Sequence, residues 1–383
     1  EEENIKKIEN GIKNSIVLYP FVPEDSAGSL DSIIAKRQAT HAGYIKLFAA
    51  CFTQAGVVHE LGKAEDKSEH PIRKDVENWF NLDYTLFYFP NREKFLYPLS
   101  IHYRYPVVPD EIAGANGVFC LIPPKGIVSG MLAEVRRITP LKASETQKNM
   151  AAGVNFNDDM EATIDVSYAF SGYASADLRT ALTTQTKDKE QDIVTAIINF
   201  AEKREDIIKY DISNERPESY NSNKPLVVTA SVNAPFLTEK AGKKYLFNIG
   251  ELIDARPALY DIKERKLPID IAYPETGNRT ITVNIPKGYK VVNPEALKVH
   301  AEYVNRDLKT LCSFTSDYTL ITDKKKGDKL VVTIKDHYPV THFPVTDYER
   351  FKGVVNAAAD FNKTAILLEQ KPGYVKPKAV AKK

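Results

Sequence analysis

The sequence predicts an α+β chain: an N-terminal α/β part, a mixed β/α segment and a C-terminal antiparallel β-sandwich. Three observations predict it. Apolar residues in the first 60 positions recur at helical spacing, whereas from Lys224 onward short alternating runs are bounded by Gly, Pro, Asn or Asp. At 383 residues the chain is too long for one compact core and implies two or three domains. The boundaries fall at 1–125, 126–215 and 216–370, and a Lys- and Pro-containing tail, 371–383, reads as disordered.

The elements follow in order. Ile5, Ile8, Ile12 and Ile16 mark a helix over Asn4–Ser15, and a second helix lies around Ser29–Lys36. Ala42–Gln54 carries so broad an apolar stripe, from Tyr44 and Ile45 to Phe52, that it reads as a helix buried on most sides. Gly56 ends it where a left-handed cap is favoured. Strands are expected at Val57–Glu60, Tyr84–Phe89 and Lys94–Tyr97, with Pro90-Asn91-Arg92 as a turn and Lys63–His70 as a charged loop. Beyond Pro123-Pro124, Leu132–Ile138 and Ala162–Phe170 read as strands and Lys189–Lys203 as a helix. The sandwich strands are Leu226–Val232, Lys244–Asn248, Thr280–Ile285, Cys312–Ile321 and Lys329–Lys335. A helix, Tyr348–Asp360, and a strand, Ala365–Leu368, complete it.

Composition excludes several function classes. Lys+Arg 52 against Asp+Glu 51 gives a net charge of +1, without the basic excess of a nucleic-acid binder. The longest apolar runs, such as Ile193–Ala201, fall short of the ~20 residues a membrane span needs. Cys51, Cys120 and Cys312 cannot all pair and form no Cys-x-x-Cys, so neither a disulfide framework nor a zinc ribbon is encoded. The first residues, Glu1-Glu2-Glu3, read as the start of a processed or partial chain.

The order of helix, glycine cap and strands in the first 100 residues resembles the transglutaminase-like superfamily, whose core is related to papain-like cysteine proteases. That family sets a Cys at a buried helix N-terminus, a His at the start of a later strand and an Asp on the next strand. The chemistry needs this arrangement: the helix end lowers the thiol pKa, the His shuttles the proton and the Asp fixes its tautomer. Here the scaffold appears without the reactive groups. Counting back from Gly56-Val57 puts His41 at the Cys position; Phe80-Asn81 is followed by Leu82, or Tyr84 after a two-residue slip, at the His position; Leu96-Tyr97-Pro98 puts Tyr97 at the Asp position. Downstream, Arg256-Pro257, Arg265, Leu267-Pro268, Tyr273-Pro274, Ile285-Pro286-Lys287-Gly288-Tyr289 and Tyr348-Glu349-Arg350-Phe351 resemble the C-terminal sandwich of multi-domain transglutaminase-like proteins of didermal bacteria. The resemblance implies a periplasmic or outer-membrane-associated location and a further β-rich domain preceding this chain.

Other candidates read as structure. Cys51, Cys120 and Cys312 are expected in the core, where a thiol pKa rises. His41 reads as a capping or surface residue. His59 and His70, beside Glu60, Glu65 and Glu69, match no compact metal motif and read as a solvated loop, and His337 and His342 have the same standing. Asn155–Glu161 lacks the Gly and Glu of a calcium loop and reads as a hairpin turn. Gly114 and Gly117 lead into Val118-Phe119, not into a phosphate-binding Lys-Ser/Thr. The expectation is an inert transglutaminase-like module without metal or cofactor, binding a protein or peptide of the envelope through an old groove at His41, Tyr44, Tyr84 and Tyr97. Two rivals stand beside it: an active cysteine hydrolase or acyl transferase with a different nucleophile, and a carbohydrate-binding module presenting aromatics on the sandwich.

Overall fold

The computed structural model describes residues 1–19, 29–67, 82–121, 133–201, 203, 206–260 and 265–374. The chain is α+β, mostly sheet, and divides into two compact units. Unit 1 comprises residues 1–141, 171–183 and 214–225; unit 2 comprises 142–170, 184–213 and 226–383.

Unit 1 opens on helix Glu2–Ser15, followed by Leu30–Lys36 and His41–Gln54. Thr40 caps the last of these, its Oγ1 accepting from Gly43 N at 3.1 Å. Gly56, at φ +66°, terminates it in the left-handed conformation that only glycine takes freely. Ile5, Ile12, Phe48 and Phe52 then pack on Phe87, Phe89 and Leu96 of the sheet. Phe52 stands edge-on to Phe87 and Phe89 at 5.3 and 5.1 Å, geometry that adds ~0.5–1.5 kcal/mol per pair beyond burial. The sheet is antiparallel, in the order Lys94–Leu96, Tyr84–Phe89, Glu60–Ala64, Asn116–Leu121, Ala133–Arg137. The strand thus begins at Glu60 rather than Val57, and Lys63 and Ala64, expected in a loop, sit on its central strand; of the rest of that loop, 65–67 follow the strand and 68–70 lie outside the described residues. The cause is tertiary. Glu60 is held by Arg136 through two bonds of 2.8 and 2.9 Å, so its charge does not oppose burial.

Unit 2 is built on an eight-stranded sheet in the order Ile207–Ser213, Leu226–Ala234, Ala162–Phe170, Gln147–Phe156, Glu275–Asn284, Lys329–Tyr338, Thr310–Ile321, Val299–Val304. Every pair is antiparallel except Gln147–Phe156 with Glu275–Asn284, which run parallel at the centre. The sheet is therefore mixed, not the purely antiparallel one expected. Strands from before residue 216 complete it, so the expected mixed segment and sandwich share one sheet. A smaller antiparallel sheet joins Thr238–Ala241, Lys244–Phe247, Ile366–Gln370 and Tyr289–Val291, and its Phe247 meets Phe156 edge-on at 5.3 Å. Helix Tyr348–Phe361 sets Phe361 against Phe314 at 5.7 Å and Phe351 against Phe343 at 4.6 Å. Among the described residues no helix is long and apolar enough to cross a membrane.

A charged network lies inside this unit. Asp336, on the buried face of its strand, bonds Arg279 and receives Arg256 Nη2 at 2.6 Å; Asp254 meets Arg279 at 3.3 Å, and Glu275 meets Lys148 at 2.7 Å. Opposite Asp336 stands Gly277, where a Cβ would fall 2.1 Å from the Asp336 carboxylate. Burial alone would push the Asp336 carboxyl up, but Arg279 and Arg256 outweigh it and hold the group below the ordinary value. A depressed carboxyl contributes stability above the unfolded pKa, about 3.9, and loses it as pH falls through the folded value.

Replacing Asp336→Asn leaves two buried guanidinium groups short of their counter-charge. Urea unfolding should show a loss of about 3–5 kcal/mol, with a flattened acid limb below about pH 3.9, while the exposed Asp317→Asn changes stability by less than about 0.5 kcal/mol. A loss under about 1 kcal/mol for Asp336→Asn would show that the network does not hold the sheet.

Candidate functional site

The positions singled out in the first 100 residues separate in the structure. His41 occupies the first turn of its helix, exposed, while the cap is Thr40. Tyr44 is 1% exposed in the core, its hydroxyl without a hydrogen-bond partner among the described residues and its pKa pushed up by burial. Leu82 is buried, and its carbonyl accepts from Lys63 Nζ at 3.2 Å. Phe80-Asn81 lies outside the described residues. Tyr84 and Tyr97 come together: their rings lie 5.9 Å apart, and Tyr103 joins Tyr97 at 6.2 Å.

The segment carrying Tyr97 and Tyr103 is pinned from below by the first helix. Lys13 is fully buried beside Glu9 at 2.8 Å, and the same ammonium donates to the carbonyls of Tyr97 and Tyr103, each at 2.8 Å. The second Glu9 oxygen accepts from Tyr105 N at 2.8 Å. Arg104 reaches back to Asn10 Oδ1 at 3.1 Å and Asn14 Oδ1 at 3.0 Å. Loss of solvent pulls Lys13 down to about 8 despite the Glu9 charge.

Three half-buried rings therefore stand together, and four carboxylates act on them. Burial and the charges of Glu111, Asp66 and Asp110 push Tyr84 up to about 12. Tyr103 is raised by burial and by Asp177, Glu111 and Asp110. Glu111 itself is raised by loss of solvent and by Asp110 and Asp66. Asp177 arrives on helix Tyr173–Thr184, which Arg179 fastens to the returning chain through Asn214 O at 3.0 Å and Lys224 O at 2.6 Å. Among the described residues no group of three or more His, Cys, Asp or Glu side chains could hold a metal ion. The carboxylates put a negative field over the rings. The sequence marked Tyr84 and Tyr97, and set Tyr103 beside Tyr97 in an aromatic cluster; Glu111 and Asp177 carried no local signal, being brought to the rings from separate segments.

Comparison with known proteins locates one part of the chain. Residues 245–368 match a family model described as a domain of unknown function with a solved structure, DUF3858. That segment lies in unit 2. No curated protein matches the chain. A crystal structure described as a "putative protease" from Parabacteroides distasonis ATCC 8503 is similar over 96% of this chain and 52% of its own, at 10% identity and a TM-score of 0.44. This chain therefore spans about half the length of that one.

The three thiols sit in different environments. Cys312 is buried and pushed up to about 12. Cys51 is half-buried, less deep than its helix stripe implied, and raised by the same cause. Cys120 is half-buried on an inner strand, not in the core. His59 is a correction. It is buried, not in a solvated loop, with Nδ1 2.8 Å from Val57 O and its ring against Phe52 and Phe87, and burial lowers its pKa. Glu65 is buried nearby in sequence, whereas Glu69 and His70 lie outside the described residues. His337 Nδ1 lies 2.8 Å from Thr276 Oγ1, and His342 Nδ1 lies 2.7 Å from Asp270. Asn157 closes the hairpin turn read at 155–161, accepting from the amides of Asp159 and Glu161 at 2.9 Å.

Two measurements follow from these environments. With iodoacetamide at pH 8, Cys312 should stay unmodified until denaturant is added and Cys51 should react more slowly than a free thiol of pKa about 8.5; rapid labelling of either with a midpoint below about 7 would restore a nucleophile. In spectrophotometric titration Tyr84→Phe should remove one phenol ionising near 12, whereas loss of one ionising near 10 would place Tyr84 in open solvent.

Proposed function

We propose that this chain is a transglutaminase-like module without catalysis, which holds a cationic segment of an envelope protein or peptide against Tyr84, Tyr97 and Tyr103. One observation carries the reading: Tyr97, matched to the family's orienting Asp, and Tyr84, matched to its His only in the slipped register that passes over Leu82, pack on each other under the field of Glu111, Asp66 and Asp110. A phenol raised to about 12 is protonated at neutral pH and serves as a neutral π-face. Rings of this kind attract a Lys or Arg side chain within about 6 Å of the centroid, and nearby carboxylates add to the attraction. The raised thiols of Cys51 and Cys312 argue in the same direction.

Ring orientation separates this from a glycan site. Planes inclined at 49° and 75° do not offer the flat platform that stacks on a sugar face, which favours the cationic segment. The envelope location rests on the resemblance of the sequence.

The test is calorimetric titration of the full chain with a lysine-containing peptide and its norleucine analogue. The lysine peptide should bind more tightly, and Tyr97→Ala should cost about 3–30-fold in affinity. Added salt should weaken binding because the carboxylates are partly solvated. Binding should also weaken as the pH is lowered, since Glu111 takes up its proton sooner than an ordinary glutamate. Equal binding of the norleucine peptide, saturable binding of a polysaccharide panel instead, or thiol-dependent acyl transfer would each overturn the reading.

A further inference from the structure

Within unit 2 a cleft of about 400 Å³ opens beside helix Tyr348–Phe361, and its chemistry is unlike that of the tyrosine cage. Three cations line it, Lys148, Arg256 and Arg265, with Glu275 as the lining carboxylate. The first two are already matched. Lys148 pairs with Glu275 at 2.7 Å, and Arg256 pairs with Asp336 at 2.6 Å and Glu275 at 3.3 Å. Arg279 and Asp254 complete that network, so three cations face three carboxylates and it is electrically balanced.

Arg265 is left over. Among the described residues its only hydrogen-bond partners are backbone carbonyls, Leu267 O at 2.9 Å and Pro268 O at 3.2 Å, and its guanidinium lies 5.8 Å from the centre of the Tyr348 ring. Tyr348, also lining the cleft, is 5% exposed, and its hydroxyl is buried with no hydrogen-bond partner among the described residues. Among the described residues, a cation without a carboxylate partner and a buried hydroxyl without a hydrogen-bond partner therefore line the same cleft. The buried hydroxyl is costly to leave unmatched, the half-exposed guanidinium is open to an anion, and one carboxylate would serve both. Ile269, Phe351 and Val355 contribute apolar surface to the same space. Leu267, beside Arg265, is 72% exposed.

We propose that this cleft takes the C-terminal carboxylate of a peptide chain ending in an apolar side chain, independently of the tyrosine cage in unit 1. The carboxylate is held by Arg265 and the Tyr348 hydroxyl; the terminal side chain lies on Ile269, Phe351 and Val355. Two features favour a peptide end over a fatty acid. The volume is near the lower limit of ligand pockets, about 300–1,000 Å³, and suits a terminal residue better than a long acyl chain. Glu275 lines the cleft with spare acceptor capacity, since a carboxylate offers about four lone-pair sites, and a peptide N–H can use it where an acyl chain cannot.

The experiment titrates the full chain with N-acetyl-alanyl-phenylalanine, its C-terminal amide and decanoate. The free acid should bind at least tenfold more tightly than the amide and more tightly than decanoate. Arg265→Gln should weaken the acid at least tenfold, and Tyr348→Phe about threefold to tenfold, with thermal unfolding of Tyr348→Phe close to that of the parent chain. Tyr97→Ala should leave this binding unchanged, which separates its fate from that of the cage. Equal affinity for acid and amide, tighter binding of decanoate, no binding of the acid at millimolar concentration, or indifference to both cleft variants would overturn the proposal.

Discussion

A buried ammonium positions the surface on which unit 1 is proposed to act. Lys13 and Glu9 lie one turn apart on the first helix, both shielded from solvent, and neither could remain there without the other. Their remaining valences do not go to water. They go to the carbonyls of Tyr97 and Tyr103 and to the amide of Tyr105. The stretch that carries two of the three cage tyrosines is thus fixed by the need to satisfy a buried ion pair, and its rings can stand together without forming an apolar core of their own. Unit 2 follows the same rule with different groups. Asp336 sits on the core face of a central strand, tolerated because Arg256 and Arg279 reach it and Gly277 leaves room opposite.

Elements that bury an apolar stripe were legible in the sequence. The isoleucines of the first helix, the Gly56 cap and the strands Tyr84–Phe89 and Ala162–Phe170 have the bounds or periodicity that the pattern implied. Elements whose stability is tertiary were not. Gln147–Phe156 begins Gln-Lys-Asn, and Ile207–Ser213 exposes most of its residues at the sheet edge, so neither shows clean alternation. Helix Tyr173–Thr184 buries Tyr173 at its start and then Ala174, Ser175, Ala176 and Arg179, small and charged groups in which no hydrophobic period shows. Glu9 and Lys13 have the i,i+4 spacing that helix surfaces share; only the chain folding over them makes the pair a core feature.

The candidate site divides in the same way. Tyr84 and Tyr97 could be found because a known catalytic layout pointed to their positions, whereas Tyr44, chosen from the same pattern, faces the core. The carboxylates around the rings come from three regions of the chain, two of them separated by a full excursion into unit 2. Charge of this kind is a property of the fold. A net charge of +1 for the whole chain conceals a negative field over the tyrosines and, in the cleft, an arginine with no carboxylate partner among the described residues.

The account is tested most directly by exchanging the buried pair for neutral groups, Glu9→Gln with Lys13→Met, which removes both charges together and so spares the helix an unpaired one. Amide hydrogen exchange at Tyr105 and affinity for the lysine peptide would be measured on the same protein. The account predicts that Tyr105 loses protection and affinity falls with it, while unfolding stays cooperative. Unchanged affinity despite lost protection would contradict the claim that this pair builds the binding surface.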